Sequence, residues 1–407
     1  MRHLSRILIC ALITVMAAAA APAHAAPQAN GSDSELVAGW LARTLASSNG
    51  IAASATGDPN YASTAYAVVG LRAAGVASGQ ITASATALAA TKDDFIGDPS
   101  VTGSKTTAIA LMILAMTAAD LDPSQYAGAA GPRDLYDELA TTIHTDGAIG
   151  DFPTAYSQSF AILALLTAPG SAPQDTVQWM LAQPCADATD PSYGGYGFSG
   201  PGSCTDADPD STALAIIAAV AAGVEPSQLA PSGQYLLSVQ DASGGFVSPF
   251  SGANANTTGL SVAALNLLST SPSDHLAQAK AYLDSLMYGC DLAGDASTSP
   301  VVGAMAYDTA TRSSNQISPL PADVQADLFQ ASAQGLFGLV TAVTVPTAYQ
   351  AASTDVPDAT SCPSAKATTT PDTTSSSGSG WWWAGGGVVL VLLVVLAWRF
   401  LASPRKP

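Results

Sequence analysis

Asp206, Asp208 and Asp210 alternate in the run Asp206-Ala207-Asp208-Pro209-Asp210, so one short segment offers several carboxylate oxygens. Hard cations such as Ca2+ take oxygens in this way. Counted as an EF-hand from Asp206, the loop carries Ser211 where the sixth position needs glycine and Ile217 where the twelfth needs glutamate. It is therefore no EF-hand. A non-EF calcium site and a helix cap with solvated acids both remain open for these residues, the cap being the simpler of the two. Upstream, Gly194-Gly195-Tyr196-Gly197-Phe198 is rich in glycine but has no Lys or Arg beside it. That composition suits tight turns between helices and not a nucleotide phosphate cradle.

These residues need elements to hold them, and the middle of the chain supplies a repeat. A Gly/Asp/Pro-rich loop leads to a small polar cluster, then to an Ala/Leu-rich helical stretch, then to a turn and a second helix. The inner-helix starts read Asn60 to Ala65, Gly103 to Ala108, Tyr156 to Phe160, Asp208 to Ala213 and Asn256 to Gly259, with an irregular sixth around Gln330 to Ala333. Ser, Thr, Asp and Asn at such points accept hydrogen bonds from the free amides of a first turn. The stretches that follow are apolar all round and must be covered on most sides. Intervening segments such as 36–41, 177–181, 234–237 and 281–286 carry a more polar stripe and fit an outer layer. Six inner and six outer helices closed into a ring would bury both sets, and an open superhelical solenoid is the alternative.

The two ends have a different character. Residues 1–25 combine arginines, an apolar run and Ala23-His24-Ala25, the pattern of a secretory signal. Trp381-Trp382-Trp383 opens a segment, 381–401, that is long and apolar enough to span a bilayer, and Arg405-Lys406 lie in the tail at 402–407. Between them the sequence predicts a domain over 26–345 and a Thr/Ser/Pro/Gly-rich stalk within 346–380. The expected topology is a single-pass protein of the cell membrane with its N-terminal domain outside. All 31 acidic residues fall in the expected exported part, against eight basic ones. Such an anionic surface excludes nucleic acid as a partner, because that affinity rests on clustered cations.

With Cys10 in the signal segment, Cys185, Cys204, Cys290 and Cys362 remain, an even number in an oxidising compartment. Three pairings are possible. Cys185–Cys204 would close the Gly-rich loop and Cys290–Cys362 would pin the segment entering the stalk, which makes this pairing the preferred one. Zinc is disfavoured, because these cysteines and the nitrogen ligands His144 and His275 lack close ligand spacing, and no metal is expected.

Tyr235-Leu236, Gln240 and Gly244-Gly245-Phe246 resemble the Gln/Trp repeat of terpenoid cyclases, with Phe in place of the final Trp. Asp208-Pro209-Asp210-Ser211-Thr212-Ala213 resembles the Asp-x-Asp-Asp-Thr-Ala segment of that superfamily. The resemblance covers about residues 34 to 345 and implies an all-α fold, the α6/α6 toroid. That fold is shared by squalene and diterpene cyclases, protein prenyltransferase β subunits, complement thioester domains and the helical domain of cobalamin-binding proteins. One scaffold hosts many activities, so the site must decide.

For a cyclase, the resemblance makes Asp210 the general acid that protonates an alkene, with Asp208 beside it. Ser211 departs from the motif by replacing its last Asp, and aromatic residues are only 7% of the chain, few for a cation-lining cavity. The prenyltransferase zinc set has no counterpart here, and Gly289-Cys290-Asp291-Leu292 lacks the glutamine of a thioester motif. These departures lean away from an enzyme. The leading expectation is therefore an exported, membrane-anchored module that presents a small organic ligand, cobalamin or another corrinoid, for uptake. It would need no cofactor of its own, and a lid-domain protein or an importer would be its partner. An exported isoprenoid cyclase using Asp210 is the second expectation. The ligand is expected where Gly-rich loops and inner-helix starts converge, at Tyr61, Tyr156, Gln158, Tyr196, Phe198, Asp210, Phe246 and Asn256, since pockets combine apolar walls with a few placed polar groups.

Overall fold

Four of the Ala/Leu-rich stretches begin at residues whose side chains satisfy a first-turn amide. Asn60 accepts from the amide of Ser63 at 3.2 Å, Thr154 from Ser157 at 3.2 Å, Asp208 from Ser211 at 2.8 Å and Asn254 from Thr257 at 2.9 Å. The computed structural model describes residues 32–98, 105–168, 174–197, 199–268, 272–289, 301–314, 322–340 and 350–357. Its helices are α1 (Asp33–Ser47), α2 (Tyr61–Ala74), α3 (Ser78–Ala90), α4 (Asp93–Ile96), α5 (Thr106–Ala118), α6 (Leu135–Thr141) and α7 (Ala155–Leu165). They continue with α8 (Gln174–Leu181), α9 (Pro209–Ala221), α10 (Ala230–Ser238), α11 (Ala255–Asn266), α12 (Ser273–Leu286), α13 (Thr309–Ser314) and α14 (Ala322–Gly335). Short antiparallel hairpins pair Tyr126 with Arg133 and Val247 with Ala253 in the connecting loops.

Helices α2, α5, α7, α9, α11 and α14 pack each on the next, and α14 packs back on α2. The inner ring is closed, so the open solenoid is excluded. Residues Ser211 to Ala219 of α9 are all buried, as a helix without a polar face requires. Outside the ring lie α1, α3, α6, α8, α10 and α12, each packed on one inner helix or two.

A single hydrogen bond recurs in the loops. The backbone amides of Ala52, Tyr196 and Phe246 donate to the hydroxyls of Thr64, Thr212 and Thr258, and that of Ile149 donates to Gln158 Oε1. Each acceptor stands four residues after its cap, so the loop is tied to the first turn of the inner helix. In the sixth repeat Met305 donates to Ser332 at 2.8 Å. Helix α14 nevertheless starts at Ala322, so Gln330 to Ala333 lie inside it and are not its start. Ser332 there marks the loop contact, which resembles a cap in sequence alone.

The same loops lean on the outer layer through a glycine. A Cβ on Gly194, whose φ is +83°, would lie 2.4 Å from the Pro231 carbonyl carbon in α10, and one on Gly244 would lie 2.4 Å from the Gln278 carbonyl oxygen in α12. Gly50 and Gly147 meet α3 and α8 likewise. Gly303, in the last loop, meets the Leu36 carbonyl oxygen of α1. The last repeat thus uses the first helix as its outer partner.

Cys185 and Cys204 form a disulfide across the loop ahead of α9. Cys290 and Cys362 lie outside the described residues, as do residues 1–31, Phe198, most of the stalk and 381–401. Among the described residues no helix is long and apolar enough to cross a membrane. After the toroid, the segment 350–357 returns to it. The amides of Ala77 and Ser78, which no side chain caps, donate to the carbonyls of Asp355 at 2.9 Å and Ser353 at 2.8 Å.

Candidate active site

On a helix, residues i, i+4 and i+7 share a face. Asp210, Leu214 and Ile217 of α9 form one such row, Tyr156, Phe160 and Leu163 of α7 another, and Ala62, Tyr66 and Val69 of α2 a third. Their lower members, with Leu111 and Leu114 of α5, Leu260 of α11 and Phe337, line a central cavity of about 40 Å3 along the ring axis. The lumen is apolar and carries three aromatic side chains, Tyr66, Phe160 and Phe337. Phe160 meets Tyr156 edge-on at 5.1 Å and Tyr66 at 5.7 Å between ring centroids.

Polar groups form a collar at the helix N-termini above this lumen. Tyr66 and Tyr156 share a hydrogen bond of 2.6 Å between their hydroxyls. Burial pushes the Tyr156 hydroxyl up to about 12, and it pushes Tyr66 well above the ordinary tyrosine range while the Gln334 side chain favours its ionised form. Asp210 is partly exposed as a residue, yet its Oδ1 is out of solvent and has no hydrogen-bond partner. Burial, and then the neighbouring charge of Asp208, push its carboxyl up to about 7, against a hydrogen bond from Thr257. Asn256, on the next inner helix, is 7% exposed and likewise holds a buried Oδ1 without a partner.

Asp208 does a different job. Its Oδ2 accepts both the Ser211 amide at 2.8 Å and the Ser211 hydroxyl at 2.9 Å, so it caps α9. Burial raises its carboxyl, and these bonds oppose the rise. Ser211 therefore orients the acid beside Asp210 without adding a third charge.

Of the residues singled out in sequence, Tyr156, Asp210 and Asn256 stand in the collar. Others are placed elsewhere. Gln158 is fully buried and locks its loop, donating to Gly147 O at 2.9 Å and Thr176 O at 3.2 Å. Tyr196 and Phe246 are buried in the loop-to-helix joints. Tyr61 packs on Phe95 at 5.4 Å beside an open groove of about 440 Å3, whose lining includes Phe95, Lys105, Thr107 and Asp151. Gln240, in the repeat motif, donates to Gly244 O and His275 O at 2.9 Å each, joining its loop to α12. Tyr66, Thr257 and Gln334 were not expected from sequence. In an Ala-rich run a tyrosine reads as core, and only its register, four residues after Ala62, puts it on the lumen face.

The sequence matches no protein-family model and no curated protein. Among solved structures, a protein from Actinoplanes has a TM-score of 0.50 at 14% identity, covering 76% of this chain and 98% of that one, which supports the fold. Unsaturated glucuronyl hydrolase from Bacillus sp. GL1 has a TM-score of 0.47 at 12% identity over 75% of this chain and 96% of that one. The ent-copalyl diphosphate synthase from Streptomyces platensis has a TM-score of 0.40 at 17% identity over 68% of this chain and 50% of that one. The expectation of a corrinoid-presenting module is corrected. A lumen of about 40 Å3 offers no preformed site for a corrinoid macrocycle, which needs several hundred.

Proposed function

We propose that this protein is an acid-catalysing enzyme of the toroid lumen, which protonates an alkene of an isoprenoid chain through Asp210. One observation carries the reading: a buried carboxyl oxygen of Asp210, whose pKa is raised to about 7, shares a helix face with Leu214 and Ile217, which line an apolar lumen with aromatic walls. A general acid works best with its pKa near the working pH. In the step, the Asp210 proton forms a C–H bond with one alkene carbon, leaving a carbocation on the substrate and a carboxylate on Asp210. A second alkene closes on the cation, and loss of a proton to the carboxylate restores the acid. The faces of Tyr66, Phe160 and Phe337 stabilise cationic carbon, and the aliphatic walls keep water from quenching it. Entry of the isoprenoid chain requires the lumen walls to move apart, since about 40 Å3 is less than the chain occupies.

Glycoside hydrolysis would need a second carboxyl facing the first across the substrate. Asp208, the carboxyl beside Asp210, is committed to capping α9. The test is incubation of purified protein with prenyl substrates in detergent, with products followed by gas chromatography and mass spectrometry. Cyclised product that disappears in Asp210→Asn supports the reading. Equal product from Asp210→Asn removes Asp210 as the acid. The N-terminal segment 1–25 and the apolar segment 381–401 support an enzyme held at the outer face of the cell membrane, and protease treatment of intact cells should release its domain.

A further inference from the structure

Two oxygens in the collar stand out because nothing in the protein satisfies them. Asp210 Oδ1 and Asn256 Oδ1 are both out of solvent and without a hydrogen-bond partner. They occupy the same level, each two residues after the cap of its helix, and α9 and α11 are neighbours in the ring. Asn256 is more than nine-tenths buried, so an unmet acceptor there is costly unless a ligand supplies the donor. Apart from Asp208, whose charge acts on Asp210, the other groups around them are neutral: Tyr66, Tyr156, Thr257 and Gln334. No Lys or Arg lines the lumen among the described residues, and Lys105, in the neighbouring groove, donates to the carbonyls of Asp94 and Phe95 at 3.3 Å.

We infer that the collar takes the hydroxyl of a neutral isoprenoid alcohol, which donates to Asn256 Oδ1 beside Asp210, and that it rejects the corresponding diphosphate. This rests on the reading of the lumen as an isoprenoid site and adds the head group to it. A hydroxyl supplies the missing donor and can accept from a protonated carboxyl. A diphosphate brings several negative charges and no donor for Asn256 Oδ1, into a collar without cations and beside the Asp208 carboxyl, in a chain with 31 acidic and 13 basic residues. Asn256 is thus a specificity-determining residue for the head group, while Asp210 carries the chemistry.

The test is equilibrium binding to the full-length protein in detergent, by calorimetry, with farnesol, farnesene and farnesyl diphosphate as probes at pH 6. Farnesol is expected to bind about tenfold or more tightly than farnesene, the value of one well-made buried hydrogen bond, and the diphosphate more weakly than either. Asn256→Leu should bring farnesol down to the level of farnesene and leave farnesene within about twofold. Asn256→Ser, which keeps an acceptor in a smaller side chain, serves if the leucine variant does not fold and should retain part of the preference. Diphosphate binding as tight as farnesol, or a farnesol preference unchanged in both variants, overturns the head-group inference alone. Failure of all three probes to bind overturns it together with the lumen reading. Alcohol binding without any turnover leaves the head-group inference standing and counts against the cyclase.

Discussion

The Asp210 carboxyl is pushed up to about 7 because burial strips water from one of its oxygens while Asp208, two residues away, adds negative charge. Two predictions belong to this residue. General acids contribute about 10²–10⁴-fold, so Asp210→Asn should lower turnover by about that factor in a single-turnover assay. The rate should also be level below pH 6 and fall about tenfold per pH unit above 7, as the acid is lost. The stability effect has a definite sign. With a folded pKa near 7 above an unfolded value near 4, the native state binds the extra proton between them, so its contribution is full at low pH and is lost as pH rises through 7. Asp210→Asn should therefore raise the melting temperature at pH 8 relative to wild type by several degrees more than at pH 4, measured by scanning calorimetry. A variant that loses activity but shows no such pH dependence would mean that Asp210 is already ionised in the folded protein.

At the scale of elements, the joints between loops and helices explain both what the sequence discloses and what it hides. Asn60 and Asp208 are readable as caps because cap chemistry is local. The start of α14 is not, because Ser332 has the polar look of a cap while acting as the acceptor of a distant loop amide. Gln158, Tyr196 and Phe246 look like ligand residues for the same reason: their work is to tie loops down. The lumen face of Tyr66 becomes visible only when the inner helices are aligned by their loop acceptors, which needs the ring. Gly244 tests the joint. Its φ is +91° and a Cβ would meet the Gln278 backbone, so Gly244→Ala should cost about 2–4 kcal/mol in urea denaturation. At the α1–α12 seam, burial first and then Asp33 push the Asp284 carboxyl up to about 6. Asp284→Asn should accordingly stabilise the protein more at pH 8 than at pH 5, in the same denaturation series.

For the whole molecule, the toroid and its apolar centre were legible from the repeat and the uniformly apolar inner helices, whereas closure was decided by contacts between α14 and α2. The width of the lumen was not legible. It depends on how Tyr66 of α2, Phe160 of α7 and Phe337, in the turn after α14, converge from segments far apart in sequence. The disulfide acts at this scale by restricting the unfolded chain. Cys185 and Cys204 are 19 residues apart, and by loop-closure entropy, replacing both with serine should cost about 3 kcal/mol, measured under oxidising conditions.

Gly303 settling on Leu36 gives the ring an order in time. Helix α1 leaves the ribosome before any other part of the toroid, yet its outer partnership is completed only when the last loop arrives, some 260 residues later in the numbering. Until then its apolar face, with Val37, Trp40 and Leu41, lacks the covering that α14 supplies, including the contact of Phe329 with Trp40. A nascent chain stalled before Gly303 should therefore present this helix to chaperones and proteases, and release of the stall should hide it in one late step.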